Sequence, residues 1–294
     1  MATQLVPLPE VERLSASVVR ILAGNPGKFT LQGTNTYLIG RGPQRLLIDT
    51  GEGLPRWRTL LQSVLQEEKA TVHKALITHW HHDHVKGIPD LLKICPQATV
   101  HKHMPDEGQT DIEDGQVFKV EGATLKAFHT PGHTADHMCF IFEEEDAIFT
   151  GDNVLGHGTA VFEDLDSYIS SLHKMQNQVS GRAYPGHGAV IENATAKIVE
   201  YIKHRQQRED EVLRVLRFGK LDVSADEKSP PPERRSSWTP IELVKVIYHN
   251  IPESLHLPAS NGVVQVLMKL EKEGKVEHDV LSGKWSLSAQ RPAL

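Results

Sequence analysis

Cysteine is scarce in this chain of 294 residues: Cys95 and Cys139 stand far apart, with no CxxC pair. That excludes a disulfide framework and a thiolate zinc site, and it favours a reducing compartment. Both thiols are expected in the core. No apolar run approaches the ~18–20 residues that a membrane span needs, so no membrane partner is expected. Positive charge is not in surplus either. Against 38 acidic residues stand 32 Lys and Arg, a formal net charge of −6. Attachment to nucleic acid by bulk charge is therefore excluded, though a local basic groove is not. Aromatics make up only 6%, which gives no help to a platform for stacked bases. The first twenty residues carry Glu10 and Glu12 and no apolar core, so they read as neither a secretory leader nor a transit peptide. The expected location is intracellular and cytoplasmic, with the mitochondrion as the alternative.

What the chain has in excess is histidine. There are 17, and nine of them lie between His79 and His137. They fall in the larger of two expected domains. Residues 1–221 read as an α/β catalytic domain, 222–237 as a polar, proline-rich linker, and 238–294 as a small separate unit. In the first, Leu46-Leu47-Ile48, Lys74 to Thr78, Ala98 to Val100, Thr124 to Phe128 and Ala147 to Thr150 suit short buried strands. Trp57, Leu60, Leu61, Val64 and Leu65 recur at helical spacing. Asp166 to Asn177 and Asn193 to Phe218 also read as helices. Strands alternating with helices predict a layered α/β domain.

In the tail, a helix from Pro240 (Ile241, Leu243, Val244, Ile247) and another over Asn261 to Lys272 precede a hairpin. Its strands are Val276 to Val280 and Lys284 to Leu287. This is a winged-helix-like α+β unit. From Trp238 onward six basic residues meet six acidic ones, so duplex DNA is not an expected partner. A packing or substrate-lid role suits it better.

His79-Trp80-His81-His82-Asp83-His84 follows a predicted strand. Read as H-x-H-x-D-H, it offers His79, His81, Asp83 and His84, donors that Zn²⁺ and related cations accept. Four donors within six residues of an irregular loop can point several ways and so serve two adjacent metals. Further donors stand just past other strands. They are His133 in Thr130-Pro131-Gly132-His133-Thr134, Asp152 in Thr150-Gly151-Asp152, and His187 in Tyr184-Pro185-Gly186-His187-Gly188. Each by itself reads as an ordinary loop residue; together they fill the vacancies of a two-metal site. His101, His103, His129 and His137 are expected to be structural or exposed.

In this order of motifs, from Asp49 to His187, the chain resembles the metallo-β-lactamase superfamily. The resemblance implies a four-layer αβ/βα sandwich with a dinuclear metal site at one edge. It further implies that His79, His81 and His133 bind the first metal and that Asp83, His84 and His187 bind the second. Asp152 would bridge the two, and Asp49 would order the site from behind the ligands. Asp83 and Asp49 are the carboxylates expected to matter for catalysis. Coordination lowers a water's pKa from 15.7 to about 7, so no Ser or Cys nucleophile is needed. Two divalent ions are expected, Zn²⁺ first, with Mn²⁺ or Fe²⁺ as alternatives. Best-known zinc β-lactamases use a cysteine where this chain has Asp152, and they lack the histidine at position 84. Penicillin hydrolysis is not expected.

A closer resemblance runs through Asn25-Pro26-Gly27, Thr30 to Leu38, Gly156 to Asp164 and the winged-helix-like tail. These segments are similar to the β-lactamase-like protein 2 group. That group includes single-strand endoribonucleases and fungal enzymes that release polyketides from the acyl carrier protein of a non-reducing synthase. Gly27-Lys28-Phe29, Thr150 to His157 and Ser254 to Pro258 resemble the fungal members more. The expected activity is therefore metal-dependent hydrolysis of a polyketide thioester on a carrier protein. The alternative is cleavage of single-stranded RNA, and a non-catalytic binding protein ranks third. Asn35, Thr36, Tyr37 and His157 are expected at the substrate mouth. Arg41, Arg45, Lys203, Arg205 and Arg208 are candidates for a basic face toward an acidic carrier protein.

Overall fold

Short apolar runs build the first sheet because both of its faces are covered. Its strands are β1 (Val11–Arg13), β2 (Val18–Leu22), β3 (Asn35–Ile39), β4 (Gln44–Ile48), β5 (Thr71–Ile77) and β6 (Thr99–Lys102), in that spatial order. From β1 to β4 the neighbours are antiparallel; β4, β5 and β6 run parallel. Successive side chains of a strand point to opposite faces. Leu46 and Ile48 therefore enter the core shared with the second sheet, while Leu47 enters the core under the helices. A strand buried on both faces reads as a continuous apolar run. Helix α1 (Pro55–Glu67) covers this sheet with Trp57, Leu61, Val64 and Leu65. After β5 come the one-turn α2 (His82–Val85) and α3 (Ile88–Ile94), whose Leu91 joins the same core.

The computed structural model describes residues 5–219, 237–248, 252–253 and 256–288. The linker expected at 222–237 lies outside the described residues except for Ser237, as do Ser254, Leu255 and residues 289–294. The chain divides into two compact units, Met1–Tyr201 and Ile202–Leu294.

The second sheet contains β7 (Val117–Val120), β8 (Ala123–His129), β9 (Met138–Phe142), β10 (Ala147–Gly151) and β11 (Ala183–Pro185), in the order β11-β10-β9-β8-β7. Its pairs are antiparallel except β10 with β11. Phe118, Leu125, Met138, Phe140, Phe142 and Phe149 pack against Val18, Tyr37, Ile39, Leu46 and Leu76 of the first sheet. Truncating one such residue to Ala costs about 2–5 kcal/mol. Helix α4 (Leu165–Met175) is capped by Asp164, whose carboxylate accepts from the Ser167 N–H. Its Tyr168 hydroxyl donates to the Asn153 carbonyl at 2.6 Å. Then follows α5 (Ala194–Phe218). The two mixed sheets with their helices form the expected α/β sandwich.

The layering sets where the chemistry stands. Asp49 follows β4, His79 follows β5, Asp152 follows β10 and His187 follows β11. All four lie at carboxyl ends of parallel strands, where loops diverge and leave room for a ligand.

The second unit carries α6 (Pro240–Ile247), α7 (His256–Lys272), β12 (Val276–Asp279) and β13 (Lys284–Leu287), the last two paired antiparallel. Thr239 and Glu242 form a reciprocal capping box at the start of α6. Leu243, Val244, Val263, Leu267, Leu270 and Trp285 are buried. Helix α7 begins five residues before the expected Asn261. Pro258 falls in its first turn, where a backbone N–H has no intrahelical partner. Among the described residues no helix is long and apolar enough to cross a membrane.

Candidate metal centre

Asp49 is where the centre is pinned. It is buried, with its backbone in the left-handed region at φ 58°, a conformation that costs a non-glycine residue about 1–2 kcal/mol. In return its carboxylate accepts three groups. The Thr78 N–H reaches Oδ1 at 2.8 Å, the Thr78 hydroxyl reaches Oδ2 at 2.9 Å, and His84 Nδ1 reaches Oδ2 at 2.7 Å. The Thr78 hydroxyl lies 2.9 Å from His79 Nδ1 as well. One carboxylate thus orients two imidazoles of the H-x-H-x-D-H segment. That segment is not irregular throughout. After His81 the chain turns into α2, and Asp83 and His84 stand on that turn.

The donors collect in two groups: His79, His81, His133 and Asp152 in one; Asp83, His84 and His187 in the other. Within each, the candidate ligand atoms lie within 4.8 Å of one another. In the first, His79 Nε2 is 2.9 Å from His81 Nδ1 and 3.2 Å from His133 Nε2. In the second, His187 Nε2 and His84 Nε2 lie 3.3 and 3.4 Å from Asp83 Oδ2. Asp152 spans both. Its Oδ1 is 3.5 Å from His84 Nε2, and its Oδ2 is 3.2 Å from His187 Nε2 and 3.7 Å from His133 Nε2. All seven residues are buried except His81, which is half-buried.

Proton placement tests whether these residues fit cations. His133 Nδ1 lies 2.8 Å from the Val161 carbonyl, which can only accept. Neutral His133 must then carry its lone pair on Nε2. His79, with Nδ1 donating to the Thr78 hydroxyl and that hydroxyl donating to Asp49, also has a bare Nε2. Two lone pairs face each other at 3.2 Å. Burial and the surrounding imidazoles hold His79 well below the ordinary histidine range. They also bring His81 down to about 4, so protons do not relieve this crowding. In addition, His84 Nε2 and Asp152 Oδ1 are buried without any hydrogen bond. Facing lone pairs and orphaned buried donors fit divalent cations.

The second group has a different balance. Burial opposes charge on His84, but the Asp49 and Asp152 carboxylates outweigh it and hold its pKa well above the ordinary value. Burial likewise opposes charge on His187, and Asp152 and Asp83 raise it to about 9. Burial would raise Asp83, yet the neighbouring His187 and His84 imidazoles keep its carboxyl well below the usual range. Asp152 is lowered by the same imidazoles against its own burial.

Backbone geometry serves the shared carboxylate. A side chain on Gly186 would collide with Asp152 Oδ1, so the residue before His187 must be glycine. Asn35 and Tyr37 hold this turn from the first sheet rather than lining the mouth. The Asn35 amide donates to the carbonyls of Pro185 and Gly188 at 2.8 and 2.9 Å, and the Tyr37 hydroxyl donates to Pro185 at 2.7 Å. Asn35, Thr36 and Tyr37 are buried and lie outside the cavity wall. His157 does line that wall. The cavity is about 590 Å³ and runs from His81, Asp83, His133, Asp152 and His187 to the 25–31 segment. Arg45 offers no basic face; it is buried and donates to the carbonyls of Gly40, Gly42 and Arg41.

Three supports escape sequence reasoning. The Thr34 hydroxyl donates to Asp83 Oδ2 at 3.0 Å. His137, fully buried, accepts the Asp152 N–H on Nε2 at 3.1 Å. Lys102 and Asp136 form a buried ion pair at 2.6 Å that ties the end of β6 to the loop holding His133. Nothing in the sequence distinguishes Thr34. The His133-x-x-x-His137 spacing was the available signal for the second.

Residues 29–187 match the family model described as the metallo-beta-lactamase superfamily. The chain belongs to that superfamily. Residues 239–285 match the beta-lactamase associated winged helix domain, a pairing of modules within one member of the superfamily. Among relatives, an atrochrysone carboxyl ACP thioesterase of Aspergillus chevalieri is 47% identical, over 98% of this chain and 92% of its own. Lactamase-like protein ptaB of Pestalotiopsis fici is 45% identical, over 95% and 88%. Solved superfamily structures share the fold at low identity. A beta-lactamase domain protein from Burkholderia ambifaria covers 98% of this chain and 96% of its own, with a TM-score of 0.76 at 16% identity. This superfamily member thus brings a His/Asp cluster suited to divalent cations to one edge of its sandwich.

Proposed function

We propose that this chain hydrolyses the thioester joining a polyketide to the acyl carrier protein of a non-reducing synthase, and so releases the free acid. The observation that carries the reading is Asp152, shared by two donor groups at the floor of a cavity walled by Pro26, Phe29, Leu31, Leu155, Ala160 and Val161. Relatives named as carrier-protein thioesterases support it. Two divalent cations, Zn²⁺ by the preference of His/Asp sites, would be held by His79, His81 and His133 on one side. Asp83, His84 and His187 would hold the other, with Asp152 between. When bound, they would supply an activated water at neutral pH and positive charge beside the developing oxyanion.

The chain's own residues do the rest. Asp49 fixes the rotamers of His79, through Thr78, and of His84. Asp83 stays ionised and presents a carboxylate that can accept a hydrogen bond from the attacking water. The apolar wall takes up the acyl group and excludes bulk water. His157 lines that wall and would contact the acyl group. An alkyl thiol is several orders of magnitude more acidic than an alcohol and leaves readily as thiolate, so the site needs no dedicated acid for the leaving group. A phosphodiester target has no support here. Among the described residues the cavity wall holds one Lys or Arg and one Phe, Tyr or Trp, whereas single-strand binders combine several of each.

The test is direct. Purified protein is mixed with carrier protein loaded with a polyketide, and released acid is followed. Release is expected, and a chelator is expected to stop it. Release no faster than in buffer, from protein containing two metals per chain, would end this reading.

A further inference from the structure

Residues between β2 and β3 fold back as a lip over the cavity. The Gly27 N–H donates to the Leu31 carbonyl at 3.1 Å, and the Thr30 hydroxyl donates to the Asn25 carbonyl at 2.6 Å. The Asn25 amide clasps Thr34, accepting its N–H at 2.9 Å and donating to its hydroxyl at 3.0 Å. Thr34 in turn reaches Asp83. The lip is therefore tied by side chains to the metal-binding donors.

Lys28 and Phe29 stand at its tip. Phe29 is 70% exposed, with Lys28 Nζ 5.4 Å from its ring centroid. Packing explains neither residue. Among the described residues Lys28 is the one Lys or Arg of the cavity wall, and no carboxylate pairs with it. The rest of the wall mixes apolar Pro26, Leu31, Leu155, Ala160 and Val161 with polar Thr30, Glu52, His82 and Thr159, besides the donors. The cavity therefore presents one Lys on its lip, a wall that carries both apolar and hydrogen-bonding groups, and a site for thioester chemistry among its donors.

We propose that Lys28 binds the phosphate of the phosphopantetheine arm that carries the acyl thioester into this cavity, with Phe29 shielding the pair from water. The inference rests on the thioesterase reading above. A carrier-bound thioester reaches a buried centre only through its arm. That arm is uncharged except for the phosphate at its protein end, and Lys28 is the Lys or Arg of the wall that can meet it, while the Glu52 carboxylate faces His82 at 3.5 Å. An ammonium–phosphate contact is charge-assisted, and a neighbouring aromatic face strengthens it by displacing water.

The experiment compares one acyl group on three thiols: carrier protein, free phosphopantetheine and pantetheine, which lacks the phosphate. The readout is the preference for phosphopantetheine over pantetheine, as a ratio of kcat/KM. In Lys28→Ala that ratio is expected to fall about tenfold, chiefly through KM, the worth of one hydrogen bond to a charged group. Lys28→Arg should restore most of it. Carrier protein should follow phosphopantetheine. An unchanged ratio overturns the inference, as does a loss confined to the carrier protein, which would mean that Lys28 reads a protein surface. Equal losses on all three thiols, the mark of a damaged fold, overturn it too. If the unaltered protein cleaves none of the three, the thioesterase reading itself fails and this inference falls with it. Cleavage of all three with an indifferent Lys28 removes only the inference.

Discussion

The two donor groups share Asp152, yet they are balanced in opposite ways. Around His79, His81 and His133, nitrogen faces nitrogen, and burial keeps protons off. Around Asp83, His84 and His187, nitrogen faces oxygen, and carboxylates hold protons on the imidazoles. The first group offers bare nitrogens that a cation can take up directly. The second offers imidazoles whose protons a cation would replace. Two sites a few ångströms apart, built from the same residue types, should therefore load in different ways.

Removing the shared residue tests the comparison most severely. Asp152→Ala should abolish the link between the groups and lower turnover on the order of 10³-fold, as loss of a principal charge-stabilising group does. Metal analysis of the purified variant should show less than two ions per chain. Retention of both ions and of turnover would show that the groups are independent of Asp152.

Acidity should separate the groups by a smaller margin. Ligands must be deprotonated to bind. Carboxylates raise His187 to about 9 and hold His84 well above the ordinary histidine value, so at neutral pH a cation must displace protons there. His79 and His81 are already free, because their pKa values are held below the ordinary histidine value. Affinity for the second ion should therefore rise with pH by about tenfold per unit for each proton displaced, up to about pH 9 for His187. Affinity for the first should rise less steeply between pH 6 and 8, because His79 and His81 hold no proton to displace. Competitive metal titrations at both pH values check this; equal slopes for the two ions would erase the distinction.

Much of this arrangement is legible in the sequence, for a physical reason. Strands β4, β5 and β10 are buried on both faces, so they appear as apolar runs, and the residue that ends each run is a functional one. The glycines beside Asp152 and His187 mark sharp turns in the same way. Strands β2 and β3 are harder to see. Arg20 interrupts Val18-Val19 and Ile21-Leu22, yet it is fully buried and paired with Glu12. Asn35-Thr36-Tyr37 reads as a polar mouth because the Asn35 and Tyr37 side chains satisfy carbonyls of a turn 150 residues away, a partner that no local pattern announces. The same blindness hides Thr34 and His137, since their importance lies in what they touch.

Thr34 offers the finest separation of the two groups. Its hydroxyl is held by Asn25 and donates to Asp83 Oδ2, while Asp83 faces only the second group. Thr34→Val keeps the shape and removes that bond. Asp83 then loses one fixed acceptor direction, and Asn25 is left with an unpaired N–H in a buried place. Stability should fall by roughly 1–3 kcal/mol, read as a lower Tm. Affinity for the second ion should drop about tenfold, the lower end for a residue that orients a ligand. The first ion should keep its affinity, because His79 and His133 are oriented by Thr78 and Val161 instead. Equal weakening of both ions would mean that the damage travels through Asp152, and that the groups behave as one site.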